Sequence, residues 1–118
     1  MRRFGLMLVL AAALAACGDD YGTNAGGCTP TATQVCMTAA TFNPASLTVT
    51  AGTSVTWRDG SGRTHTVTND PGSGETFNQT VTGSGTFTHA FPTAGTYTYH
   101  CSIHGSPGVG MHGTITVN

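Results

Sequence analysis

The chain has 118 residues, 38% of them hydrophobic and only 8% charged, with a formal net charge of −1. That length supports one domain around a single core and leaves no room for two. Its four basic residues, Arg2, Arg3, Arg58 and Arg63, form no stripe, which excludes the electrostatic footprint of a nucleic-acid-binding surface.

In chain order, the first element is a leader. Met1-Arg2-Arg3 precedes an apolar run from Phe4 to Ala16 that is too short for a membrane-spanning helix, and Leu14-Ala15-Ala16-Cys17 follows. The ending resembles the bacterial lipobox, in which the chain is cleaved before a cysteine that becomes diacylated. Residues 1–16 are therefore expected to be a lipoprotein signal peptide, with Cys17 as the lipidated first residue of the mature chain. An ordinary signal peptide that leaves Cys17 as a thiol is the alternative, and either reading exports the protein. The polar, Gly-rich stretch from Gly18 to Gly27 reads as a tether, so 17–34 is taken as anchor and linker, and 35–118 as the folded domain.

With Cys17 assigned to lipid, Cys28, Cys36 and Cys101 remain, an odd number in a compartment that favours disulfides. A small loop closed between Cys28 and Cys36 is the expectation, with reduced or differently paired thiols as the alternative. Cys101 is then the thiol that requires another use.

Beyond this point the chain reads as strands: Val35 to Met37, Leu47 to Thr50, Ser54 to Arg58, Thr64 to Thr68, Glu75 to Val81, Gly85 to Phe91, Thr96 to Cys101 and Thr114 to Val117. Each is a short run rich in Thr, Val, Tyr or Phe, and turn signals such as Asn43-Pro44, Asp59-Gly60 and Asp70-Pro71-Gly72 separate them. No mature segment carries a helical apolar period. Seven or eight such strands make an all-β sandwich, in which each of two sheets buries one face.

Alternation along the strands says which groups face inward. Tyr97, Tyr99 and Cys101 share one face, while Thr96, Thr98 and His100 share the other. Carrying the parity of Ile115 and Val117 backward turns Met111 inward and His112 outward. His65 shares parity with Val67, so it too can face the interior, with Thr64 and Thr66 outward. His104 follows Cys101 by three residues.

Two imidazoles and a thiolate in a trigonal arrangement, with a weak axial thioether, suit copper that cycles between two oxidation states. Zinc is the competing ion, but structural zinc sites recruit more thiolates or a full tetrahedral Cys/His set, and Met is a poor zinc ligand. A buried inert thiol, a loop histidine and a core methionine would account for each residue singly. Their conjunction favours the metal, because an unpaired cysteine in an oxidising compartment is hard to explain otherwise.

From about Val35 to Asn118 the chain resembles the cupredoxins, and most closely the plastocyanin-like small blue copper proteins. The resemblance lies in Phe42-Asn43-Pro44, Gly52-Thr53-Ser54-Val55-Thr56-Trp57, His65-Thr66-Val67, Phe91-Pro92-Thr93-Ala94-Gly95-Thr96-Tyr97, Cys101-Ser102-Ile103-His104 and Met111-His112-Gly113-Thr114-Ile115. It implies a Greek-key β-sandwich holding one type 1 copper ion, with His65 and His104 as imidazole ligands, Cys101 as thiolate and Met111 as axial thioether. Members of that family place the methionine closer to the second histidine, whereas Gly105 to Gly110 intervene here. A compact excursion of these residues would still bring Met111 inward, with His112 as the outward-pointing alternative.

The implied activity is single-electron transfer with no substrate transformed. The expected partner is a transient redox protein that meets an apolar patch of Gly105, Pro107, Gly108 and Val109 around His104. The protein is expected to be a monomer held to the membrane by its lipid. A copper chaperone or buffer is the alternative, with His89, His100 and His112 as added surface sites. His100-Cys101 also resembles the pair that joins two coppers in copper nitrite reductases, but those enzymes carry two such domains per chain and this chain has one.

Overall fold

A computed structural model describes residues 27–118, so the leader, Cys17 and most of the tether lie outside the described residues. Nine strands run in chain order: β1 (Gln34–Met37), β2 (Phe42–Asn43), β3 (Ser46–Val49), β4 (Thr53–Asp59), β5 (His65–Asn69), β6 (Asn78–Val81), β7 (Thr86–Phe91), β8 (Gly95–Ser106) and β9 (Val109–Val117). They form two sheets, ordered β2-β1-β4-β7 and β3-β9-β8-β5-β6. Two pairings are parallel, β1 with β4 and β3 with β9, and the connections between those strands cross from one sheet to the other. The result is the sandwich expected from the strand pattern.

The core is the set of inward faces. Trp57 of β4 is fully buried and touches aromatic rings from both sheets: Tyr99 edge-on at a centroid distance of 5.3 Å, Phe87 stacked at 5.6 Å, Phe77 at 5.9 Å and Phe91 at 6.2 Å. Aromatic pairs at these separations add to the area they bury. Cys28 and Cys36 are joined by a disulfide with Cα atoms 5.7 Å apart, and both are buried. It ties the segment before β1 to β1 itself.

Three elements differ from the sequence pattern. β2 has two residues, too few to show alternation, and exists because Cys36 and Met37 of β1 offer it partners. β6 begins at Asn78 and not at Glu75, because Phe77 leaves the ladder for the core: its amide hydrogen goes to the Asn69 side chain at 2.9 Å and its carbonyl accepts from Asn69 N at 2.9 Å. The largest difference is at the C-terminal end, where β8 and β9 continue well past the expected ends. Residues 105–110 are a hairpin, closed by the Gly105/Gly110 and Ser106/Val109 pairs around Pro107-Gly108. Proline at the first central position and glycine with φ of +71° at the second are the requirements of a type II turn.

Candidate metal centre

β5 and β8 meet at one end of the second sheet and supply three donors. His65, the first residue of β5, and Cys101 in β8 are both fully buried, and Cys101 is a free thiol. Their inward orientation follows from strand alternation. His104 does not follow from it, because residues three apart in a regular strand point to opposite faces.

A register irregularity resolves the conflict. Pairing of β8 with β9 stops at His100/His112 and resumes at Gly105/Gly110, so the four residues from Cys101 to His104 stand opposite the single residue Met111. This bulge re-aims His104 toward Cys101, the use to which such irregularities are often put beside functional sites. Met111 is buried on the facing strand, while His112 is exposed, with its Nδ1 3.0 Å from the carbonyl of Gly110. The approach of the two strands is close: a Cβ on Gly105 would sit 2.5 Å from the Met111 nitrogen, so a side chain there would separate His104 from Met111.

The donor atoms converge. The Sγ of Cys101 lies 3.6 Å from Nδ1 of His104 and 4.0 Å from Nδ1 of His65, and the two imidazole centroids are 4.9 Å apart. All three ligand atoms fall within 4.8 Å of one another. A first-row metal bonded to nitrogen and sulfur at ~2.0–2.3 Å in a trigonal plane separates its donors by roughly 3.5–4 Å, so the cluster has the right size for one ion. The backbone N–H of Thr66 donates to Sγ at 3.3 Å and offsets negative charge on a thiolate.

The other side of His65 is equally specified. Its Nε2 is 2.9 Å from the Ser61 hydroxyl, which in turn is 2.6 Å from Oδ1 of Asp59. The backbone N–H of Ser61 also donates to that oxygen at 2.8 Å, and the N–H of Ser84 donates to Oδ2 at 3.2 Å. Burial opposes the charge on Asp59, but hydrogen bonds from the Ser61 side chain and backbone and from Ser84, with help from His65, hold its carboxyl below the ordinary carboxylate value. Burial also pushes the His65 imidazole down; Asp59 works against this, while His104 and Arg63 reinforce it. A neutral imidazole keeps a lone pair for a metal.

Asp59-Gly60 reads in the sequence as a turn, and the network is not legible from it, whereas the structure ends β4 on Asp59. A signal was present, since Asp59 shares parity with Val55 and Trp57, and all three are buried in β4. The outward face also holds a surprise. His100 points away from Cys101 as expected but is only 9% exposed, because Asp70 covers it, with Oδ1 2.6 Å from its Nδ1. Thr66 is likewise covered, with its hydroxyl 3.0 Å from that of Ser102.

Comparison with known proteins agrees with this geometry. Residues 29–118 match the family of copper binding proteins described as plastocyanin/azurin. Plastocyanin of Scenedesmus fuscus is 36% identical over 88 residues, covering 67% of this chain and 88% of that protein. Among solved structures, a purple cupredoxin from Nitrosopumilus maritimus superposes with a TM-score of 0.61 at 27% identity, covering 72% of this chain and 98% of its own. Amicyanin from Paracoccus versutus gives 0.64 at 25% identity, covering 80% and 90%. With His65, Cys101 and His104 gathered at one end of a two-sheet sandwich, the chain belongs to the plastocyanin/azurin family of copper-binding proteins, and its chemistry is copper-based electron transfer.

Proposed function

We propose that this protein is an exported, lipid-anchored carrier of single electrons between redox partners at the cell envelope, with His65, Cys101, His104 and Met111 as its copper ligands. The observation that carries the reading is the convergence of His65, Cys101 and His104, with the buried Met111 standing opposite the Cys101–His104 bulge on β9. Copper, when bound there, supplies one-electron chemistry in a ligand set that suits both of its oxidation states. The chain's own contribution is rigidity. His65 and Cys101 sit in paired or packed strands, His104 is set by the bulge, and the buried faces of both sheets exclude water from beneath the site. Adding cupric ion to the soluble domain should produce an intense blue or purple colour from thiolate-to-copper charge transfer. Colourless, tight binding would reject the electron-carrier reading in favour of storage.

Partner contact belongs to the end where His104 is half-buried beside Ile103 and Val109, which are 52% and 64% exposed. Such a small apolar patch fits a brief encounter. Val109→Asp should slow electron self-exchange about tenfold or more, since two copies meeting through this patch would oppose like charges. Val109 lies at the start of β9 and supplies no donor to the cluster, so colour should be kept. Self-exchange measured by NMR line broadening decides: an unchanged rate in Val109→Asp with a large drop in His100→Ala would move the exit route to the strand face.

The chaperone or buffer alternative gains no support from two of its three surface histidines, while His112 stays exposed. His89 is engaged by Glu75 at 3.0 Å and His100 by Asp70 at 2.6 Å. Export and anchoring rest on the leader and on Cys17. No helix of the described residues is long and apolar enough to cross a membrane. Cys17→Ser should shift the full-length protein from the membrane to the soluble fraction, because the acyl chains on that residue supply the attachment; membrane retention of the variant would reject the anchor.

A further inference from the structure

Asp59 is a carboxylate with 1% exposure on the same face of β4 as Trp57, where only well-partnered charge persists. Every hydrogen bond it makes is one it accepts: from the hydroxyl and N–H of Ser61 and from the N–H of Ser84. That fixes the Ser61 hydroxyl completely. Its single hydrogen goes to Asp59, so the oxygen must accept from its two other neighbours, the N–H of Arg63 at 3.1 Å and Nε2 of His65 at 2.9 Å. Nε2 therefore carries the imidazole hydrogen, and Nδ1 presents a bare lone pair toward Cys101. The direct Asp59 to His65 separation, 3.6 Å, is too long for a hydrogen bond, so the carboxylate acts through the hydroxyl. Among the described residues no Lys or Arg pairs with Asp59, and all three close ion pairs involve histidine.

We propose that Asp59 and Ser61 are positioning residues that lock His65 in its Nε2–H tautomer and ring orientation, and that the buried charge of Asp59 lowers the reduction potential of the centre. The second half rests on His65 being a copper ligand, as proposed above; the first half does not. The sign follows from charge: the oxidised site is one unit more positive than the reduced one, so a nearby buried anion, poorly screened by solvent, favours the oxidised form. A hydrogen-bonded partner on the far nitrogen of a metal-binding histidine also raises its basicity, in the same direction.

Two measurements test this. In the metal-free, 15N-labelled protein, imidazole NMR should show His65 as the Nε2–H tautomer; Ser61→Ala should give a mixture, and Ser61→Thr should restore the single form. A wild-type Nδ1–H tautomer, or no change in Ser61→Ala, overturns the lock. In the copper-loaded protein, Asp59→Asn should keep the colour while shifting the redox equilibrium about tenfold toward the reduced form, a change of about 59 mV to more positive potential for one electron. A merely structural Asp59 would lower the denaturation midpoint and leave the potential in place, and an unchanged or more negative potential overturns the charge effect. Should Asp59→Asn fail to fold, the tautomer series still decides the lock. A wild-type domain that stays colourless with copper would instead sink the electron-carrier reading, leaving the tautomer result intact.

Discussion

Cys101→Ser is expected to abolish the visible charge-transfer band entirely, because that band requires the thiolate and no other sulfur of the cluster can supply one. Among the described residues, Cys28 and Cys36 are consumed in their disulfide, and Met111 offers a neutral thioether. The serine hydroxyl is smaller than the thiol and leaves the buried position next to His65 and His104 without a soft donor. Far-ultraviolet circular dichroism should be unchanged, since Cys101 lies in the bulge, outside the paired registers of β8 with β9. A blue Cys101→Ser protein would reject Cys101 as the thiolate ligand. Met111→Leu is the companion experiment. It should keep the colour and raise the potential, because an axial thioether donates weakly to the oxidised ion and its loss favours the reduced one. If neither potential nor spectrum moves, Met111 is core packing and not a ligand.

Trp57→Ala is expected to cost about 3–5 kcal/mol, a large part of the ~5–15 kcal/mol by which a domain is usually stable. Trp57 is fully buried, and its ring spans the sandwich from β4 to Tyr99 on β8, with Phe77, Phe87 and Phe91 packed around it. No neighbour can swing into the vacated space without breaking another aromatic contact, which places the cost toward the upper end for such truncations. The consequence for function is direct. Asp59 lies two residues beyond Trp57, and Cys101 two residues beyond Tyr99, so the contact that joins the sheets lies directly beneath the site. Urea denaturation of the metal-free domain measures the loss. A midpoint shift corresponding to less than about 1 kcal/mol would show that the two sheets are held together elsewhere.

What the sequence determined by itself is everything that depends on the two-residue period of a strand. Alternation turned Tyr97, Tyr99 and Cys101 inward together, aimed Met111 in and His112 out, and let His65 join the core, all as the structure has them. It is a local property of the backbone and needs no knowledge of which strands are neighbours. An odd cysteine, left over once Cys28 and Cys36 had each other, pointed to the metal for a similarly local reason. Only the tertiary structure decided where His104 points. Three residues from Cys101 it should face the opposite way, and it turns because pairing with β9 lapses between His100 and Gly105 while a hairpin brings Met111 back alongside. Asp59, Ser61 and His65 were each legible as residues but not as a chain of hydrogen bonds, since that chain forms only when the loop after β4 folds back on the start of β5. His100 was placed correctly on the outer face, yet its burial depends on Asp70, thirty positions earlier in the chain. Strand parity is written in neighbouring residues, whereas a bulge and a side-chain network are written in strands that meet only after folding, where the pairing register and the packing of both sheets decide them.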